Sequence, residues 1–331
     1  MPVSWIRRAE DVPPDEWRRV HALSAARSPF LSPSFLLPWA GAFAQGRPLR
    51  VARWERGGEA AGFLFLCARG VGLPGWELLG GHDVADILDA LVAAGEEAAF
   101  WEELLADPGL PLAEGPLTLQ CLSDGSPTIG LLESRCPAHG LSVSYEETDR
   151  SPWLRLPPTF EAYVEGLGKK ARHELRRKLR RTAESLPGTS LRVCREPGEA
   201  AAAVPSFLDL HRRSHPDKSV FMTGEMERFF LEIARRFAEE GTLRLAFLGG
   251  EEGDVAAALQ FVAGDRLLLY NSGYDPARRD ANPGLALIAR CIEAAIGEGF
   301  REYDFLRGTE RYKYDLGGRD RAVLRATVSR R

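Results

Sequence analysis

The segment Asp304–Gly317, with the sequence DFLRGTERYKYDLG, brings together residue types that can move protons. The carboxylates of Asp304 and Glu310 can take a proton from an amine, and the phenol of Tyr312 can return one to a leaving thiolate. The apolar residues at the start of the segment predict a buried strand, and open α/β sheets bind ligands at the carboxyl ends of their strands. The segment is therefore a candidate acid-base site.

Two cations in the same segment, Arg307 and Lys313, can bind an anionic group. Lys313 suits a cofactor phosphate or the carboxylate of an acceptor. A structural interpretation stays open, because an Asp304–Arg307 ion pair would simply fix the end of the strand. In that interpretation Tyr312 and Tyr314 are half-buried packing residues.

A second candidate site lies where a predicted strand, LLLYNSGY, runs through a polar loop into a helix that starts at Asn-Pro-Gly. The first turn of a helix offers free backbone N–H groups and the positive end of a dipole, which suit a phosphate or pyrophosphate. An ordinary capped helix beside a solvated loop is the alternative. The candidate cofactor-binding residues here are Tyr270, Asn271, Ser272, Arg278, Arg279, Asn282, Pro283 and Gly284.

A third feature is the basic stretch KKARHELRRKLRR, with eight Lys or Arg residues and the single acid Glu174. Four apolar residues, Leu167, Ala171, Leu175 and Leu179, recur every four positions, so a helix would bury one narrow stripe and expose a basic face that suits phosphate groups. A merely solvated helix face is equally compatible with the pattern. The candidate substrate- or anion-binding residues are Lys169, Lys170, Arg172 and Arg176, together with Arg307 and Tyr274.

The elements that must position these residues alternate between helix and strand. Two strand pairs look alike, one in Leu49–Gly70 and one in Leu243–Asp265, and each has a turn rich in Gly and Glu. The pattern predicts two related α/β units, divided near residue 150 into 1–150 and 151–331. Apolar spacing predicts helices over 83–106, 159–185, 199–215 and 224–240.

Composition limits the function classes. The 331 residues carry 43 Lys plus Arg against 47 Asp plus Glu, a net charge of −4, which is not typical of a polyanion-binding protein. The five cysteines form no CxxC pair, which favours reduced thiols, and no signal peptide or membrane-spanning segment is predicted, so we expect a cytoplasmic protein. His211 and His215 lie four residues apart, but no carboxylate completes a metal-binding motif, and we predict no metal site.

Taken in order, four segments resemble the CelD-like acetyltransferase family associated with cellulose biosynthesis, a branch of the GNAT superfamily related to the FemAB-like, or Fem-type, peptidyltransferases. They are KKARHELRRKLRR, LLLYNSGYDP, NPGLALI and YDFLRGTERYKYDLG. The resemblance covers Leu156–Gly317, and SPFLSPSFLLPWAGAF near the N-terminus is similar to the family's opening strand and helix.

The resemblance implies two GNAT-like lobes, each a twisted mixed sheet flanked by helices, with the acceptor on the side of 1–150. Acyl-CoA, first of all acetyl-CoA, would bind between diverging strands of 151–331 and acylate a primary amine by direct transfer. Asp304 or Glu310 would be the base, Tyr312 the acid, and backbone N–H groups near Tyr270–Ser272 would polarise the carbonyl. The Asn-Pro-Gly helix start departs from the superfamily's usual pyrophosphate loop, in which Gln or Arg precedes Gly-x-Gly or Gly-x-Ala.

Other functions stay open at this point. A Fem-like enzyme would take its donor from aminoacyl-tRNA, with the basic helix on the tRNA, and a non-catalytic protein could keep the fold to bind acyl-CoA or a partner. Small-molecule, sugar and peptide amines are all candidate acceptors. Peripheral contact with a membrane is compatible with the basic helix.

Overall fold

The computed structural model describes residues 3–70 and 72–331, and these form two compact units. The first contains the described residues up to Arg150 together with Arg321–Arg331, and the second is Ser151–Asp320. The sequence-based division assigned 321–331 to the second half. In the structure these residues lie in the first unit, because residues 323–328 pair with the strand Leu117–Ser123.

The first unit is a mixed sheet with helices. In chain order its elements are β1 (Val3–Ile6), α1 (Pro14–Leu23), α2 (Pro33–Phe43), β2 (Leu49–Arg56), β3 (Glu59–Ala68), β4 (Trp76–Leu78), β5 (Leu91–Val92), α3 (Glu97–Ala106), β6 (Leu117–Ser123), α4 (Pro127–Arg135) and the start of β7 (Leu141–Arg155). Most of β13 (Arg319–Arg330) completes the strand order β1-β2-β3-β4-β6-β13-β7. The predicted strand pair in Leu49–Gly70 is the β2–β3 hairpin.

The second unit holds the candidate residues. After the end of β7 come α5 (Phe160–Gly166), α6 (Lys169–Ser185), β8 (Ser190–Cys194), α7 (Pro197–Ser214), α8 (Pro216–Phe221), α9 (Gly224–Glu239), β9 (Leu243–Gly250), β10 (Gly253–Ala263), β11 (Arg266–Tyr274), a 3-10 turn (Pro276–Ala281), α10 (Pro283–Gly297), β12 (Glu302–Asp304) and α11 (Arg311–Asp315). Its strand order is β7-β12-β11-β10-β9-β8. Only β11 and β12 in this unit pair in parallel.

Alternation along the strands gives this sheet two apolar faces, and helices cover both. Ala246, Leu248, Ala256 and Ala258 pack with α10 in one core. The other face packs against α7 and α9, where the rings of Phe237 and Phe261 lie 4.4 Å apart. The predicted α/β class, with mixed sheets flanked by helices, is confirmed.

The single helix predicted over 159–185 is two helices, α5 and α6, which are separated by Leu167 and Gly168. The leucine stripe of α6 packs inward as predicted: Leu175 is buried and Leu179 is partly buried in the core beside α10. Within residues 3–70 and 72–331, no helix is both long and apolar enough to cross a membrane.

Candidate active site

The strands β11 and β12 separate at the centre of the second unit. They pair in parallel only at three positions of β11, Arg266, Leu267 and Leu268. β11 then continues beside β10 as far as Tyr274, whereas the chain after β12 follows β7, with the N–H of Phe305 bonded to the carbonyl of Pro152 at 2.9 Å. From Leu269 onward, the side of β11 that faced β12 therefore has no neighbouring strand among the described residues. We call this gap the β11–β12 opening.

A β-bulge shapes β11 beside the opening. The register with β10 shifts between Leu259 and Gln260, which pair with Asn271 and Leu269, so Tyr270 is an extra residue. A regular strand would turn consecutive side chains to opposite faces, but the bulge leaves Tyr270 and Asn271 on the same face. The Tyr270 ring stacks on Phe230 of α9 at 5.6 Å and is buried, so this predicted cofactor contact offers its backbone and not its ring.

Asn271 binds His211, for which the sequence suggested no role in catalysis. Its Oδ1 lies 3.0 Å from Nε2 of His211, which is buried on α7. Burial lowers the pKa of His211 to about 4, and the positive charge of Lys218 acts in the same direction. The imidazole is therefore neutral at pH 7. Nε2 then donates to the amide oxygen, and the buried Nδ1 has no hydrogen-bond partner in the part of the chain that the structure describes.

Gly273 explains how α7 reaches this position. A methyl group at Gly273 would lie 2.4 Å from both Cα and N of His211, so only glycine lets the helix backbone cross the strand here. Gly273 therefore permits the His211–Asn271 contact because it has no side chain. Its backbone conformation is ordinary, so close packing and not a special φ requires glycine here.

Lys218 of α8, which belongs to none of the sequence motifs, reaches the edge of β11. Its Nζ donates to the carbonyl oxygen of Ser272 at 2.5 Å, within the strand segment that β12 leaves uncovered. Burial lowers the pKa of Lys218; the charge of Glu310 opposes this shift and that of Lys313 adds to it. Lys218 and the Glu310 segment therefore lie close enough to interact through their charges.

Tyr312 lies on the same strand segment. Its phenol lies close enough to the side chain of Ser272 to interact with it, and burial together with the charge of Glu310 raises the pKa of Tyr312 well above its ordinary value. The phenol therefore keeps its proton at neutral pH and is a hydrogen-bond donor. The structure brings three predicted residues together here: Ser272, Glu310 and Tyr312.

The ammonium group of Lys313 is buried and bonded to other groups of the protein. Its side chain is 3% exposed, and Nζ donates to the carbonyl oxygens of Leu306, Arg307 and Gly308 at 3.1, 2.7 and 3.2 Å. Nζ also lies 3.0 Å from the carboxylate of Glu310. An ammonium group has three donors, so this geometry leaves none for the cofactor phosphate that the sequence suggested. Lys313 instead holds the turn that carries Glu310, and Arg307 contributes its carbonyl to that turn.

Asp304 is also buried, and its carboxylate is hydrogen-bonded within the protein. It is fully buried, and its Oδ1 accepts from the N–H of Leu306 at 2.8 Å and from the Ser151 hydroxyl at 3.3 Å. Leu306 has a positive φ of 56°, a strained conformation for a leucine, which this bond stabilises. Glu310, with a side chain that is 59% exposed, is the better placed of the two predicted bases to meet a substrate.

The start of α10 lies at the other predicted cofactor site. Asn282 precedes Pro283 in the left-handed conformation, with φ 56°, which glycine usually supplies. Its side chain donates to the Asp280 carbonyl at 3.2 Å and does not cap the helix. The N–H groups of the first turn therefore lack a side-chain cap. A methyl group at Gly284 would come within 3.2 Å of the Tyr274 ring, so this glycine accommodates Tyr274.

The two arginines before this helix differ. Arg278 forms an exposed ion pair with Glu252 at 3.0 Å. Arg279 is exposed and has no ion-pair partner in residues 3–70 and 72–331. Of the two, Arg279 is therefore the one that keeps all its donors for an anion.

The basic helix α6 is attached to this region. The Thr182 hydroxyl donates to the Ala281 carbonyl at 2.6 Å, one residue before Asn282. Arg172 bonds to the Glu165 carbonyl at 3.2 Å. Lys169, Lys170 and Arg176 are exposed and have no ion pair within the described part of the chain. Within the same residues, no three His, Cys, Asp or Glu side chains form a group that could hold a metal.

Comparison with known proteins gives one family match: residues 169–314 match the model described as "Acetyltransferase (GNAT) domain". The structure of FemX is similar, with a TM-score of 0.67, 12% identity and coverage of 98% of this chain and 96% of that one. A conserved protein of unknown function from Bacteroides thetaiotaomicron has a TM-score of 0.66, 14% identity and coverage of 98% and 100%. No curated protein matches the chain.

At these identities the similar structures establish the fold alone. The matched residues 169–314 run from the start of α6 through the β11–β12 opening to Tyr314, so they include all of the predicted site residues. Residues 169–314, the greater part of the second unit, therefore match a GNAT acetyltransferase domain.

Proposed function

We propose that the protein is an N-acyltransferase that moves an acyl group from acyl-CoA, first of all acetyl-CoA, to a primary amine by direct transfer. The observation that carries the proposal is the β11–β12 opening, beside which Ser272, Glu310, Tyr312 and Lys218 come together. Oriented donors beside uncovered strand edges can stabilise the negative charge that develops on a carbonyl oxygen during acyl transfer. The match to the acetyltransferase domain over 169–314 supports the same chemistry.

The residues present fit acyl-CoA as the donor. The uncapped first turn of α10 and the unpaired Arg279 suit a pyrophosphate, and the left-handed Asn282 stands in for glycine in the turn before that helix. Arg279, Asn282 and Gly284 would hold the phosphates, while the backbone of Asn271 and Ser272 would line the opening. When bound, acyl-CoA would supply the acyl group as a thioester.

We assign the proton transfers to Glu310 and Tyr312. The exposed carboxylate of Glu310 accepts a proton from the ammonium form of the acceptor, which frees the amine lone pair for attack. Tyr312, whose raised pKa keeps the phenol protonated, donates a proton at the leaving sulfur. Lys218 holds the edge of β11 through the Ser272 carbonyl and adds positive charge beside the opening.

Release of free thiol from acetyl-CoA in the presence of small-molecule, sugar and peptide amines tests this assignment. We expect Glu310→Gln to lower kcat by about 100-fold or more at neutral pH, as is usual for loss of a general base. Glu293→Gln removes an exposed acid on α10 that pairs with Arg290, and it is the matched control. A Glu310→Gln enzyme with the kcat of the wild type would contradict the role given to Glu310.

One observation favours a second candidate, transfer from aminoacyl-tRNA. The exposed cations Lys169, Lys170 and Arg176 of α6 lie without ion pairs, as a phosphate-binding surface requires. Binding through six or more phosphates would weaken by about 10³-fold or more between 50 and 200 mM salt, whereas one pyrophosphate gives a shallow dependence. A steep salt dependence of tRNA binding, with no binding of acetyl-CoA, would favour this alternative.

A further inference from the structure

A separate cavity of about 850 Å³ lies within the second unit, between the end of β7, the α5–α6 connection and the segment after α11. We call it the Arg155 cavity. Its walls are largely apolar, and the larger side chains that form them are Trp153, Leu156, Tyr163 and Tyr314. The volume falls within the usual range of small-molecule sites.

The hydroxyl groups of the two tyrosines donate hydrogen bonds to other groups of the protein. The Tyr163 hydroxyl donates to the Leu316 carbonyl at 2.8 Å, and the Tyr314 hydroxyl donates to Asp320 at 2.8 Å. Both rings therefore present apolar surface to the cavity. The polar character of the site comes from other residues.

Two guanidinium groups line the same cavity. Arg155, at the end of β7, and Arg319, at the start of β13, are exposed, and neither has an ion-pair partner among residues 3–70 and 72–331. The lining contains no acidic residue. Glu302 is the cross-strand neighbour of Arg155, but it does not line the cavity. Lys169 and Lys170, which follow the lining residue Gly168, add two further unpaired cations.

Apolar walls with two unpaired arginines and no acid fit a ligand with an apolar body and an anionic head. Arginine binds carboxylate and phosphate oxygens through paired N–H donors, and a partly enclosed setting strengthens such bonds. We propose that the Arg155 cavity is a binding site for an amphipathic anion, a carboxylate or phosphate monoester on a hydrocarbon body, held by Arg155 and Arg319.

This site is distinct from the candidate active site. None of Lys218, Ser272, Glu310 and Tyr312 lines the cavity. The proposal therefore does not depend on the acyltransfer reaction, and a binding measurement can test it without any activity.

The test is calorimetric titration of the full chain with octyl phosphate and octanoate. 1-Octanol and octyltrimethylammonium are the neutral and cationic probes, and inorganic phosphate is the head group alone. We expect saturable 1:1 binding of the two anions, at least tenfold tighter than binding of the other three probes. Equal affinity for octyl phosphate and 1-octanol would overturn the proposal, and so would absence of binding.

Variants locate the binding. Arg155→Ala/Arg319→Ala should weaken octyl phosphate at least tenfold, and so should Pro158→Asp, which adds a negative charge to the exposed lining. Arg8→Ala/Arg18→Ala removes two exposed arginines of the first unit, neither of which lines the cavity, and should change nothing. Binding that survives in both cavity variants refutes the site. Acetyl-CoA is itself an anion, so the octyl phosphate titration is repeated with saturating acetyl-CoA, and a loss of all octyl phosphate binding would refute a separate site.

Vesicles identify the source of the ligand. Sedimentation with phosphatidylglycerol vesicles, with phosphatidylcholine vesicles as the control, asks whether the anionic head can belong to a membrane lipid. Binding to phosphatidylglycerol that Arg155→Ala/Arg319→Ala abolishes assigns the site to a lipid head group. Binding of octyl phosphate without vesicle binding assigns it to a soluble amphiphile, and either result supports the proposal.

Discussion

Gly273 lies where the backbone of α7 crosses β11, and Gly273→Ala tests the packing that positions His211 against Asn271. The added methyl carbon would lie 2.4 Å from Cα and N of His211 and 2.5 Å from the carbonyl carbon of Leu210. Uncharged carbon atoms normally approach to about 3.5–4.0 Å, so the helix must move by about 1 Å or more. The clashing atoms are all backbone, which no change of side-chain rotamer can relieve.

Overpacking of a core usually costs about 1–3 kcal/mol, and a clash with backbone on this scale belongs at the upper end. For a domain of this size each kcal/mol lowers Tm by about 2–4 °C, so we expect Gly273→Ala to lower the Tm of the second unit by about 6–12 °C. Differential scanning calorimetry of the full chain measures the shift. The affected transition is identified as the one that acetyl-CoA stabilises.

Gly297→Ala, in the last turn of α10, is the matched control. Nothing lies within 4 Å of its added methyl carbon and its φ is ordinary, so we expect no loss, or a gain of about 0.4–1 kcal/mol from the stiffer unfolded chain. If the Tm of Gly273→Ala equalled that of Gly297→Ala, the crossing of α7 over β11 would not be as close as the structure has it. The account of how His211 is held would then fail.

Three further predictions concern the same unit. Lys313→Met leaves three carbonyl oxygens without their donor and should lower the unfolding free energy by about 3 kcal/mol or more in urea titration; an unchanged midpoint would show that the turn does not need the ammonium. Asp304→Asn keeps an acceptor for the Leu306 N–H and should cost about 1 kcal/mol with a kcat near the wild type, whereas a kcat reduced 100-fold at normal stability would restore Asp304 as the base. The pKa of His211 is about 4 in the folded protein, below its ordinary value of 6.5, so between these two pH values mainly the unfolded state binds a proton. The free energy of unfolding should therefore rise by about 3 kcal/mol as the pH rises from 4 to 6.5. His211→Gln should remove that rise, and a slope unchanged in this variant would assign it to other groups.

Local patterns were enough to predict one hairpin in each unit and most helices of the second unit. The strand pair in Leu243–Asp265 is the β9–β10 hairpin, and the apolar spacing over 224–240 becomes α9, Gly224–Glu239. Pro283 and the glycines after residue 296 mark the ends of α10, because proline suits a first turn and glycine ends a helix. Each of these signals acts within a few residues, which is why the sequence alone reveals them.

The helix predicted over 83–106 is wrong in its first half because contacts with distant parts of the chain determine the structure there. Only Glu97–Ala106 is helical, and the apolar Leu91 and Val92 form β5, which pairs with β3. Asp89 is hydrogen-bonded to the Ser126 and Thr128 hydroxyls, more than 35 positions along the chain. The spacing of apolar residues was compatible with a helix, but contacts with distant segments decide the outcome.

The candidate site shows the same division between local and distant information. The sequence placed Glu310 and Tyr312 after a strand because the pattern is local. It could not reveal that Asp304 faces inward to the Leu306 N–H, or that Lys218 reaches Ser272, 54 positions away. The contact between His211 and Asn271 spans 60 positions and depends on where α7 crosses the sheet. No signal short of the fold itself identifies Lys218.

Titration of the full chain with acetyl-CoA, CoA and uncharged tRNA distinguishes an acyl-CoA donor from an aminoacyl-tRNA donor. We expect 1:1 binding of acetyl-CoA with a shallow salt dependence. Ser272→Phe, which adds a ring beside the β11–β12 opening, should weaken that binding at least tenfold, and Arg290→Ala, an exposed change on α10, should leave it unchanged. Absence of acetyl-CoA binding, or binding that Ser272→Phe leaves intact, would contradict the account, and salt-sensitive binding of tRNA alone would favour the aminoacyl-tRNA reaction.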